Sequence, residues 1–180
     1  MTTDLWRLGA VELAGLSTGR EASAREATAS VLSRIAEVNP RINALAAMMA
    51  DSALAAADAA DHAQASGKTL GPLHGVPVSI KINIDVAAMA TTDGAVALAD
   101  NIATQDSPLV KSLRDAGAVI VGRSNAPCFS LRWFGDNDIP GRTVNPFDVV
   151  LTPGGSSGGA AAATAMGMLG EFHNAKRFVS

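Results

Sequence analysis

The 180 residues include a single cysteine and no tyrosine, and aromatic side chains make up only 4% of the chain. One cysteine, Cys128, excludes an intramolecular disulfide framework and a zinc site built from several thiolates. Positive charge is also scarce. Fourteen lysines and arginines stand against 17 acidic residues, a formal charge of −3, and no basic block occurs anywhere. Sequence-independent nucleic-acid binding needs clustered cations to neutralise phosphates, so no nucleic-acid partner is expected. No apolar run reaches the ~20 residues of a bilayer span, because charges break each one. The opening Met-Thr-Thr-Asp-Leu-Trp-Arg lacks the basic and apolar regions of a secretory signal. A cytoplasmic chain without a membrane partner is the expectation. Charged residues are 17% and apolar ones 48%, a balance unlike that of charge-driven disorder. Much of the apolar count is alanine, so the core should be thin.

Organisation changes near Gly71. Residues 1–70 read as a helical layer. Ser23-Ala-Arg-Glu26 has the form of a capping box, and Ala27, Val31, Leu32, Ile35 and Val38 follow at helical spacing. Asn39-Pro40 predicts the end of that helix, since a residue before proline is pushed out of the helical region. The segment from Arg41 to Met49 suits either a short strand or a helix. Asp51 to Gln64 reads as a partly exposed helix ended by Ser66-Gly67. Residues 71–170 read as α/β. Val76 to Ile84 alternates as a strand does, Ser107 to Gly117 reads as a helix with Pro108 in its first turn, and Ala118 to Gly122 as a buried strand. Strand, helix and strand in succession predict a βαβ unit and a partly parallel sheet. Gly154-Gly-Ser-Ser-Gly-Gly159 then leads into an Ala-rich helical run to about Leu169, and residues 171–180 form an atypical tail. One α/β domain spans the whole.

Two places could carry chemistry. Lys81 lies between isoleucines, and a buried lysine loses affinity for its proton and becomes a usable base; an outward lysine, or one paired with Asp85, is the plainer reading. Gly154, Gly155, Gly158 and Gly159 around Ser156 and Ser157 allow unusual backbone shapes and close approach. Such a loop at a helix start could cradle an anion, although Ala160-Ala161 stand where a P-loop would have its lysine and hydroxyl. A flexible linker is the alternative. Cys128 has no histidine near it in sequence and reads as a core cysteine. His62, His74 and His173 form no motif. No paired-histidine or carboxylate cluster suggests a metal, and no cofactor is expected.

Four segments together, Gly71-Pro-Leu-His-Gly-Val-Pro-Val-Ser-Ile-Lys81, Val121-Gly-Arg-Ser-Asn-Ala-Pro127, Asn145-Pro-Phe147 and Thr152-Pro-Gly-Gly-Ser-Ser-Gly-Gly159, resemble the amidase signature family in order and spacing. Arg132-Trp-Phe-Gly-Asp-Asn-Asp138 resembles its general bacterial amidase branch. The resemblance implies a partial mixed sheet flanked by helices, an N-terminal helical layer, and hydrolysis of a small-molecule carboxamide to an acid and ammonia or an amine. It implies a Ser–Ser–Lys triad in which Lys81 is the base and Ser156 the bridging serine, set on a cis Gly155–Ser156 bond. Gly154, Gly155, Ser157, Gly158 and Gly159 would support them. The family's nucleophilic serine lies in a second G-G-S segment beyond the Ala-rich helix, and none follows here. The expectation is therefore a domain truncated before its nucleophile, inactive alone, and self-associating through an exposed sheet edge. The alternatives are a non-catalytic remnant or binding protein, a subunit that transamidates charged tRNA, and a small-ligand or nucleotide binder.

Overall fold

The computed structural model describes residues 4–169; the expectations about the tail at 171–180 and about His173 lie outside the described residues. After a 3-10 turn at Leu5–Arg7, the helical layer consists of α1 (Ala10–Thr18), α2 (Ala24–Ile42) and α3 (Ala50–Ala65). Helix α2 starts at its capping box. Ser23 Oγ accepts from the Glu26 N–H at 3.0 Å, and the Glu26 carboxylate accepts from the Ser23 N–H at 2.9 Å. Asp61 of α3 takes the free Ala24 and Arg25 N–H groups at 2.7 and 3.1 Å, tying the two helices together. Ala27, Val31, Ile35 and Val38 are buried as their spacing predicts, and Leu32 is half-buried.

Asn39-Pro40 does not end α2, which carries Pro40 inside its last turn and runs to Ile42. The expected break gives way to tertiary anchoring of that turn. Ile42 is buried, Asn43 turns left-handed and donates to the Asn39 carbonyl at 2.7 Å, and the Asn39 side chain grips Leu45 at both N–H and C=O. The ambiguous segment after it divides accordingly, ending α2 and then forming β1 (Leu45–Met48).

The sheet is mixed, as expected. Its strands β2 (Pro77–Lys81) and β3 (Val119–Ser124) run parallel, β1 is antiparallel to β3, and the order is β1-β3-β2. Helix α4 (Pro108–Asp115) makes the crossover between β2 and β3; Ser107 caps it and Pro108 opens it. The predicted strand to Ile84 stops at Lys81, because the Ile84 N–H folds back onto the Lys81 carbonyl at 3.0 Å. Every β3 residue is buried, as befits a central strand covered on both faces. Helices α2, α3 and α5 (Gly158–Ala165) pack around β1, Val119 and Val121, while α1, α4, Val78, Ile80 and Ile120 form a second cluster. Among the described residues no helix is long and apolar enough to cross a membrane.

Candidate active site

Lys81 ends β2 and Ser156 lies just before α5, 75 residues later in the chain, yet Lys81 Nζ donates to Ser156 Oγ at 2.8 Å. The contact follows from two pieces of local packing. In the β2/β3 register Ile80 pairs with Arg123 and Lys81 with Ser124. Because neighbours along a strand point to opposite faces, Lys81 and Arg123 leave the sheet on opposite sides. The other half is the glycine loop. A Cβ on Gly155 would stand 2.6–2.7 Å from the backbone of Arg132, Trp133 and Phe134, and one on Gly159 would stand 2.4–2.6 Å from the backbone of Asn125 and Ala44. Only glycine lets the loop settle onto these two surfaces, so a flexible linker does not describe it. The Gly155–Ser156 peptide is cis, and Gly154 has φ +83°. Ser157 is exposed at the start of α5 and plays no part in the Lys81 contact.

Lys81 is half-buried rather than largely enclosed, because it sits at the strand's open end. Burial lowers its pKa from the usual lysine range, and the carboxylate of Asp93 opposes that shift. The plainer pairing with Asp85 is not made. Asp85 acts instead on Arg123, raising a pKa that burial lowers. Lys81 thus meets a neutral hydroxyl and a weakened proton affinity, the two conditions that let an amine exchange protons with a serine.

Several site-shaping residues were given no role of their own by the sequence, although Arg123 and Asn125 lie in the Val121–Pro127 segment and Asn137 in Arg132–Asp138. Arg123 is buried inside β3. Asn125, fully buried, donates to the Gly141 carbonyl and to Thr143 Oγ1, each at 2.9 Å, and accepts from Asn137 Nδ2 at 2.7 Å. Thr143 Oγ1 in turn donates to the Asn43 carbonyl at 2.8 Å. The network clamps the loops on which the glycine segment rests. The one signal for it is polar residues closing an otherwise apolar strand.

The remaining candidates stay apart from this pair. Cys128 is half-buried at the head of a 3-10 turn rather than in the core, since the chain leaves the sheet before it. His74 is buried in the turn before β2, and His62 is exposed on α3. Among the described residues no group of three or more His, Cys, Asp or Glu side chains is placed to hold a metal. A cleft of about 340 Å³ near Trp6, Arg34 and Met166 contains neither Lys81 nor Ser156.

Comparison with known proteins gives this geometry a setting. The family model described as Amidase matches residues 26–170. The chain is 44% identical over 164 residues to an indoleacetamide hydrolase of Bradyrhizobium diazoefficiens, covering 91% of this chain and 31% of that protein. It is 45% identical over 163 residues to a glutamyl-tRNA(Gln) amidotransferase subunit of Acidothermus cellulolyticus, covering 91% and 32%. The solved peptide amidase of Stenotrophomonas maltophilia superposes with a TM-score of 0.84 at 34% identity, over 89% of this chain and 34% of that one. The chain spans about a third of the length of the curated relatives it matches.

Proposed function

The chain belongs to the amidase family, and from the Lys81–Ser156 pair we propose that it carries the proton-relay half of a Ser–Ser–Lys site that cleaves carboxamide C–N bonds. The observation behind this reading is the 2.8 Å contact between two side chains 75 residues apart. In the proposed cycle a neutral Lys81 takes the Ser156 proton as Ser156 takes that of a nucleophilic serine, which attacks the amide carbonyl. The proton then returns through Ser156 to the departing nitrogen, which leaves as ammonia or an amine, and water releases the acid. Gly154, Gly155, Ser157, Gly158 and Gly159 hold Ser156 in place. The sequence contains no second G-G-S segment after residue 159, so the nucleophile and oxyanion donors are not supplied by residues 1–180, and these residues alone release no ammonia from amides.

A chimera tests the relay directly. Residues 1–169 are joined to the part of the Bradyrhizobium hydrolase beyond its matched region and offered indoleacetamide. The chimera hydrolyses it, and Lys81→Ala or Ser156→Ala lowers kcat by the ~10²–10⁴ typical of lost acid–base catalysis. A folded chimera indifferent to both substitutions would end the proposal. The similar identity to a tRNA-dependent amidotransferase supports a second outcome, transfer of the nitrogen to an acceptor. Free ammonia in the chimera assay favours hydrolysis.

A further inference from the structure

Arg123 is a charge buried to 1% exposure with no salt bridge to any described residue. Its guanidinium spends its hydrogen bonds on three backbone carbonyls: Ile84 at 2.7 Å, Ala90 at 3.1 Å and Lys81 itself at 3.3 Å. Burying a charge is expensive, and an apolar side chain could fill the same space without that cost. The three acceptors share one property. They lie at the end of β2, in the turn that stops it, and on the strap that leads to Asp93.

We infer that Arg123 is the positioning residue of the Lys81 site, holding from the opposite face of the sheet the backbone that carries Lys81 and the strap that brings Asp93 to bear on it. Residues 82–95 contain no helix or strand, and Ala88 and Asp93 adopt positive φ values of 63° and 48°. Around its bridge from Ala90 to Ile102, backbone hydrogen bonds join Ala88 and Met89 to Ala103, Thr91 to Asn101 and Asp85 to Ser107, which tie the strap to the segment before α4. Its links to β3 are the Ile82 N–H, which donates to the Ser124 carbonyl at 3.1 Å, and the Arg123 guanidinium, whose side chain reaches further along it to Ile84 and Ala90. The charged groups involved are Asp93 on the strap, which acts on Lys81, and Asp85, also on the strap, which acts on Arg123. The α5 side presents the neutral Ser156 hydroxyl. Without Arg123 the strap loosens, water reaches Lys81, and the amine regains its ordinary proton affinity.

The inference deepens the proposed relay, so its test reads Lys81 rather than turnover. The full 180-residue chain has four lysines, at positions 68, 81, 111 and 176, and ¹³C-methylation lets each be titrated by NMR. The wild-type Lys81 titrates below the ordinary ~10.4. Arg123→Met raises it by ~1 unit or more, and Arg123→Lys, which still offers donors to the carbonyls, restores part of the shift. Ile35→Val, a core change remote from the strap, leaves Lys81 unmoved and separates positioning from general loss of stability. Should Arg123→Met fail to fold, Arg123→Gln takes its place with the same expected rise, since one amide cannot serve three carbonyls. A depressed wild-type value that stays within ~0.3 unit in these variants overturns the role of Arg123 alone. An ordinary value in the wild type overturns the relay as well.

Discussion

Gly159→Ala separates a built scaffold from a flexible tether more sharply than any change to the serines. The added Cβ would lie 2.4 Å from the Asn125 carbonyl oxygen, 2.5 Å from its nitrogen and 2.6 Å from the Ala44 oxygen. Ordinary contacts of this kind lie near ~3.5–4.0 Å, so α5 must retreat by about 1 Å from the sheet. All three opposing atoms are backbone, and two of them form the hydrogen bond in which the Asn125 N–H donates to the Ala44 carbonyl at 2.9 Å. Overpacking of this sort costs ~1–3 kcal/mol, occasionally more, and the upper end applies because backbone cannot rotate away. The better helix propensity of alanine returns at most ~1 kcal/mol. The net expectation is a loss of about 2 kcal/mol, a fall in Tm of ~4–8 °C for a chain this long. Urea and thermal melts followed by circular dichroism measure it. Gly15→Ala is the matched control, since a Cβ there meets nothing within 4 Å inside α1, and it should stabilise by ~0.5–1 kcal/mol. A Gly159→Ala chain as stable as the wild type would mean that the loop is loose and that the reasoning about α5 is wrong.

Three further outcomes follow from the same structure. Asp61→Ala removes the acceptor for two N–H groups at the start of α2 and should lower stability by ~1 kcal/mol in urea melts. Lys81→Met should flatten part of the pH dependence of stability. The folded pKa of Lys81 is lowered, so the unfolded chain binds the extra proton between the two pKa values, and wild-type stability rises with pH through that window; a variant with an unchanged profile would show that Lys81 titrates normally when folded. Glu26→Gln should lose a small pH-dependent contribution at the capping box. Hydrogen bonds from Ser23 hold this carboxyl below its usual range, so the contribution is present above the unfolded pKa and disappears as pH falls through the folded one, and melts at pH 7 and pH 3 should differ less than in the wild type.

Much of the fold was legible because local chemistry and packing agree. The Ser23–Glu26 box, the stripe from Ala27 to Val38 and Pro108 at the start of α4 each mark an element that the structure contains. Where sequence reasoning missed, distant contacts overrode a local rule. Pro40 is tolerated in α2 because Ile42 is buried and the Asn43 side chain just beyond it donates to the carbonyls of Pro140 and Arg142, 97 and 99 residues away. The strand through Ile84 stops early because Arg123, 39 residues away, holds the Ile84 carbonyl and closes the turn. Neither partner can be read from a window around the break.

The site shows the same division for a different reason. Lys81 stands out in sequence as an ammonium among isoleucines, and Ser156-Ser157 as serines among four glycines. Assigning the base to Lys81 and choosing Ser156 over Ser157 comes from the resemblance of the four segments to the amidase signature family. Their meeting depends on residues whose types look ordinary. Asn125, Asn137 and Thr143 satisfy one another in the interior, and a buried amide with all its partners leaves no trace in composition or periodicity. The glycines carry more information than their flexibility suggests, since Gly155 and Gly159 are fixed by close approach and not by positive φ. A nucleotide-cradle reading asks the loop to offer its N–H groups to a free anion. The loop here is pressed against the backbone at 132–134 and 125, and it turns the Ser156 hydroxyl toward an amine. An arrangement that presents a neutral acceptor to a partly desolvated lysine suits proton transfer rather than phosphate binding, which requires that lysine to stay charged.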